Sequence, residues 1–146
     1  MESEPRRALT LSTSFDSSTA AKGVKPADLT DVQRSAWARA LETPDLTVYV
    51  AERGGQVVGT TSLLLMPHVT YGCHPTAFIE PLVVAEEHRR RGVGRMMVER
   101  ALDDARAAGC RKVQLLSHKR HSEDGAHDFY RSLGFAAEAE GFRIFL

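Results

Sequence analysis

The residues best suited to chemistry lie in three places. The densest is His88-Arg89-Arg90-Arg91-Gly92-Val93-Gly94-Arg95, between an apolar run and an amphipathic run. A helix start carries partial positive charge and disfavours each cation there by about 0.3–1 kcal/mol. Four arginines at such a start oppose that field and repel one another. A bound anion resolves the conflict. Gly92 and Gly94 let the backbone come close to a ligand, and the N–H groups of the first helical turn can donate to phosphate oxygens. The plainer alternative is a solvated basic turn, because charge runs usually decorate surfaces. The strand–turn–helix setting and the paired glycines favour the phosphate cradle. No Gly-Lys-Ser/Thr follows, so this is not a P-loop, and no third glycine completes a dinucleotide fingerprint.

The second place is Glu80, the only charge between positions 77 and 84. A lone carboxylate in a strand read as buried is unfavourable unless it is paired or useful. It could be a functional base, a partner for an arginine, or a residue at the wet edge of a sheet. Pro81 cannot donate a ladder hydrogen bond, so pairing should break beside it. The third place is Tyr130, on the face shared by Ala126 and Leu133. Tyrosines at helical spacing are more often core aromatics than catalysts.

The elements that must position these residues follow from periodicity and punctuation. A short strand is expected over 9–15 and a loop over 16–23. Pro26 suits a first helical turn, with the helix running over 27–42. Strands are expected over 46–51 and 56–65, joined at Gly54-Gly55. A long turn spans 67–75, and a third strand spans 77–84. A helix covers 93–108 with Val93, Met96, Met97, Ala101, Ala105 and Ala108 on one side, stopped by Gly109. A strand over 112–117, a polar loop over 118–125, a short helix closed by Gly134 and a last strand over 142–146 complete the reading. The strand–helix–strand order from 77 to 117 demands a crossover. That implies parallel pairing inside a mixed, mostly antiparallel sheet flanked by helices, an α/β (α+β) fold.

The 146 residues suit one domain, 1–146, with 1–8 as a loose tail. Lys and Arg number 19 against 19 Asp and Glu, so net charge is zero. That argues against a nucleic-acid binder resting on a broad basic surface. Cys73 and Cys110 are too few and too far apart for a disulfide framework or zinc knuckle, and the histidines show no ligand spacing, so no metal is expected. The N-terminal stretch lacks an apolar signal core, and Leu63-Leu64-Leu65-Met66 is far too short to span a bilayer. A cytoplasmic protein is expected.

Arg89-x-x-Gly92-x-Gly94 resembles the acyl-CoA pyrophosphate motif, Arg/Gln-x-x-Gly-x-Gly/Ala, of the GNAT N-acetyltransferase superfamily. Phe129-Tyr130-x-x-Leu133-Gly134-Phe135 is similar to that family's C-terminal motif. The resemblance covers roughly 46–146. Its nearest flavour is that of aminoalkylphosphonate and other small-amine acetyltransferases, through 118–121, 126–130 and 79–84.

The resemblance implies a sheet whose central parallel strands splay, with the acyl-pantetheine of acetyl-CoA in the gap. Backbone groups of Leu82, Val83 and Val84 would pair with the pantetheine. Amides from Arg90 to Arg95 would hold the diphosphate, with Arg89, Arg90, Arg91, Gly92, Val93, Gly94, Arg95, Ala126 and Phe129 as cofactor-binding residues. Tyr130 would be the general acid and Glu80 the leading general base. Where the family often carries an Asn, this chain reads Ser122-Glu123-Asp124-Gly125. The implied reaction is direct acetyl transfer from acetyl-CoA to a primary amine of a small molecule in a ternary complex, by a homodimer engaging neither nucleic acid nor membrane. The alternatives are a protein or peptide amine as acceptor, or a non-catalytic acyl-CoA-binding module.

Overall fold

The computed structural model describes residues 9–12, as backbone, and residues 30–146. The expected tail, the end of the first strand, the loop over 16–23 and the helix start at 26–29 lie outside the described residues. Two compact units emerge, 1–114 and 115–146.

Among the described residues, the first unit is a six-stranded mixed sheet with two α-helices. β1 (Leu9–Ser12) pairs parallel with β2 (Leu46–Arg53), and β2 pairs antiparallel with β3 (Gln56–Met66). β3 pairs antiparallel with both β4 (Thr76–Ile79) and β5 (Val83–Val84). β4 then pairs parallel with β6 (Lys112–Gln114), across the crossover that carries α2 (Val93–Ala107). The fold class is the expected one, and the crossover gives the parallel pair that the order of elements demanded.

Local chemistry corrects several boundaries. α1 (Asp31–Glu42) begins directly after Thr30, an extended N-cap. Gln33 N–H donates to Thr30 Oγ1 at 3.2 Å while Thr30 N–H donates to Gln33 Oε1 at 2.8 Å. This reciprocal capping box is legible as Thr-x-x-Gln. The expected strand over 77–84 is two strands, broken at a cis Glu80–Pro81 peptide. β6 ends at Gln114 rather than 117. Residues 142–146 form no strand. Their alternation suits one, but a strand needs a partner edge, and no ladder reaches them among the described residues.

The core lies between the sheet and α2. Val93, Met97, Val98, Ala101 and Ala105 are buried on the helix; Val93 and Met97 cluster with Ala51 and Val58, with Leu82, Val84 and Met96 partly buried against them. Val98 replaces the expected Ala108, which is the helix cap. Tyr49 is fully buried and donates from its hydroxyl to Asp104 Oδ2 at 2.7 Å. This bond ties the middle of the sheet to α2.

Gly59 permits the close approach of helix and sheet. A Cβ there would stand 2.8 Å from Met97 Cε, 3.1 Å from the Val83 carbonyl oxygen and 3.3 Å from Val93 Cγ1. Gly59→Val is expected to destabilise the fold by about 1–3 kcal/mol through overpacking, read as a lower midpoint in urea with an unchanged slope.

Candidate active site

The arginine bend is built between β5 and α2. A 3-10 turn, Glu86–His88, leads into it, and the Arg89 N–H donates to the Glu86 carbonyl at 3.2 Å. Arg90 adopts φ +58° and Gly92 φ +82°. Gly92 is the N-cap of α2 and, lacking a side chain, supplies no cap hydrogen bond. The first backbone bond of the helix runs from Met96 N–H to the Gly92 carbonyl at 3.0 Å, so the amides ahead of it open toward the bend. A Cβ at Gly92 would meet no protein atom within 4 Å. The surface over the helix start is therefore open.

The cations do not all crowd that opening. Arg89 Nε donates to the Val84 carbonyl at 3.0 Å, and Arg95 leans along the helix to Glu99 at 3.4 Å. The Arg89 side chain braces the bend, while the exposed Arg91 adds positive potential around it. Val93 is buried in the core at 5% exposure, so its amide is what it can give a ligand.

β5 supplies a second feature. Gly59 stands opposite Val84, and the Ala85 N–H donates to the Val58 carbonyl at 2.9 Å. In an antiparallel ladder this makes Gly59 and Val84 a non-hydrogen-bonded pair, so the N–H and C=O of Val84 point away from β3. Arg89 takes that carbonyl, and the N–H is turned to the open side. The β4–β6 ladder stops at Phe78 and Gln114, and β5 pairs with β3 alone. Leu82 is half-buried and Val83 exposed. The strand break leaves a backbone edge that an extended ligand can line.

Glu80 follows β4, with its N–H on the Ser62 carbonyl at 3.1 Å. It is exposed, which corrects the expectation of a buried carboxylate. Losing its ladder neighbour at Pro81 leaves the residue at the solvent side of the break.

In the second unit, α3 (Ala126–Ser132) carries Tyr130. The Tyr130 carbonyl accepts from Leu133 N–H at 3.0 Å and Phe135 N–H at 3.1 Å, and Gly134 at φ +90° turns the chain back. The Tyr130 ring meets Phe129 edge-on at 5.1 Å and Phe135 at 6.0 Å. The Phe-Tyr-x-x-Leu-Gly-Phe spacing thus sets one half-buried phenol ring between two aromatic edges. Ala126 N–H donates to Asp124 Oδ1 at 3.0 Å, anchoring the helix start.

Sequence reasoning missed a pair in this unit. Asp124 Oδ2 accepts from His121 Nδ1, and Arg120 Nε donates to His121 Nε2 at 3.2 Å. The hydrogen bond from His121, then that from Ala126, hold the Asp124 carboxyl below its usual range, with the His127 charge adding to them. A depressed carboxyl contributes above its unfolded value of about 3.9 and loses that contribution only as pH falls through its lower folded value. The Asp124 side-chain carboxyl carbon, followed by NMR, is therefore expected to titrate below an unfolded reference peptide. Burial pushes the Cys110 thiol up, away from the thiolate a nucleophile needs. Among the described residues, no His, Cys, Asp and Glu side chains cluster as metal ligands would. No described helix is long and apolar enough to cross a membrane.

Residues 12–135 match the model of the acetyltransferase (GNAT) family. The chain belongs to the GNAT acetyltransferase family. This makes it an acyl-CoA-dependent N-acetyltransferase with acetyl-CoA as acetyl donor. It is 30% identical over 122 residues to glucosamine 6-phosphate N-acetyltransferase of Trypanosoma brucei brucei, covering 84% of this chain and 76% of that protein. Among solved structures, it is 38% identical to a protein of Agrobacterium tumefaciens str. C58 assigned to the acetyltransferases, with a TM-score of 0.75 and 82% of each chain covered. A transcriptional regulator from Bacillus halodurans C-125 is similar at 28% identity and a TM-score of 0.77, over 82% of this chain and 79% of that one. The bend and the outward Val84 amide fit the donor's two recognisable parts, an anionic diphosphate and an extended amide-bearing arm.

Proposed function

We propose that residues 1–146 act as one domain that acetylates the primary amine of a small molecule by direct transfer in a ternary complex. The observation that carries this reading is the uncapped start of α2 with open space over Gly92. The similarity to glucosamine 6-phosphate N-acetyltransferase supports a small amine as acceptor.

When bound, acetyl-CoA supplies the acetyl group as an activated thioester. Amides from Arg90 to Arg95 bind the diphosphate, with Arg89 bracing the bend. The outward N–H of Val84 orients the pantetheine arm and polarises the thioester carbonyl, while Leu82 and Val83 line the same edge. Ala126 and Phe129 contact the donor from α3. An alkyl amine resembles lysine, with a pKa near 10.4, so freeing its lone pair at pH 7 costs about 3.4 units, or roughly 4.6 kcal/mol. Glu80, exposed at the strand break, accepts that proton through water. Tyr130 holds a proton at Oη for the departing thiolate. A phenol near pKa 10 is protonated at neutral pH and can give that proton as a thiolate forms.

The working form in this reading is a cytoplasmic homodimer that binds neither nucleic acid nor membrane. The exposed Phe142, Ile144 and Phe145 offer apolar surface for a second copy to cover.

Release of free thiol from acetyl-CoA, measured across a panel of primary amines that includes glucosamine 6-phosphate, tests the proposal. Amine-dependent release is expected. No release with any amine, together with no coenzyme binding, sinks it.

A further inference from the structure

His88 has no part in the chemistry above, yet it is only 9% exposed and directly precedes the arginine bend. Its Nδ1 stands 3.3 Å from Nη1 of Arg53, the last residue of β2. A guanidinium has donors and no acceptor, so Nδ1 accepts and the ring proton sits on Nε2. That Nε2 is buried with no partner among the described residues. An orphaned buried donor opposes folding, so its presence asks for a reason.

The surrounding bonds supply one. The Ala85 N–H is fixed on β3, the His88 N–H donates to the Ala85 carbonyl at 2.9 Å, and Arg89 Nε returns to the Val84 carbonyl. These contacts tether the turn to β3 and β5. The Arg53–His88 bond adds a tie across to β2 and enters the turn one residue before the bend. We infer that His88 is a positioning residue for the coenzyme: as a neutral ring held at Nδ1 by Arg53, it sets where the bend presents its amides to the diphosphate. This rests on the reading of the bend as the diphosphate site. A ring is suited to the task because it offers a planar acceptor close to the backbone and fills the buried space behind it.

Calorimetric titration of the full chain with coenzyme A, paired with thermal melting of the free protein, tests the inference. His88→Leu is expected to raise the Kd about tenfold. Its free-protein melting point should change little, because loss of the orphaned Nε2 donor offsets the acceptor that Arg53 Nη1 loses. A merely structural histidine would not separate affinity from stability in this way. His88→Asn places an oxygen acceptor two bonds from Cβ, as Nδ1 is, and should return the Kd to within about threefold of the parent. Arg53→Met removes the donor from the other end, should weaken binding like the leucine variant, and serves if that variant does not fold. Unchanged affinity in the leucine or methionine variant overturns the inference, as does an asparagine variant as weak as leucine. If the parent protein fails to bind coenzyme A, the diphosphate site itself falls, and His88 with it.

Discussion

Replacing Tyr130 with Phe is expected to lower kcat by about 10²–10³-fold while the KM for acetyl-CoA changes little. The substitution removes one oxygen and keeps the ring that Phe129 and Phe135 hold on edge. The carbonyl bonds that close α3 belong to the backbone and survive. The loss is expected to fall on proton delivery to the departing sulfur. Without that donor the thiolate leaves unprotonated, and a leaving group of higher charge raises the barrier. Steady-state thiol release with a fixed amine separates the two parameters. A rise in KM at constant kcat would assign Tyr130 to binding and remove it from the proton path. An activated thioester carrying a thiol of lower pKa should recover part of the lost rate in the variant.

Gly92→Val is expected to weaken acetyl-CoA binding at least about tenfold, for two separable reasons. The φ of +82° lies where a β-branched residue is strained by about 1–2 kcal/mol, so the bend would shift to escape it. The new side chain would also enter the space over the helix start, where no protein atom stands within 4 Å. Because that space is empty of protein, the substitution causes no internal clash. The loss of affinity should thus exceed what the loss of folding stability explains. Titration calorimetry beside chemical denaturation measures both. A destabilised variant with parental affinity would show that the bend holds no diphosphate.

Much of this architecture was legible in the sequence because local signals and packing agree. The Gly54-Gly55 turn, the crossover through α2 and the stop near Gly109 all act within a few residues. The break at Pro81 was legible for the same reason, as a missing N–H interrupts a ladder wherever it falls. Gly59 also left a sign, since a glycine inside a strand marks close approach, though its partners Met97 and Val93 lie far along the chain. The Arg53–His88 and Tyr49–Asp104 bonds left none, being 35 and 55 residues apart. The exposure of Glu80 was misread because an apolar flank says nothing about which side of a strand faces water once pairing stops. The run over 142–146 was misread because alternation describes a strand's faces and not its neighbour.

The outward amide of Val84 is main chain, and it would be there whatever side chain the codon specifies. Missense changes at this position can alter bulk and packing, but proline alone deletes the donor. Such an edge can change its side chain within the limits of packing while its hydrogen-bonding capacity stays fixed. A deep mutational scan should find position 84 permissive to small apolar residues and closed to proline.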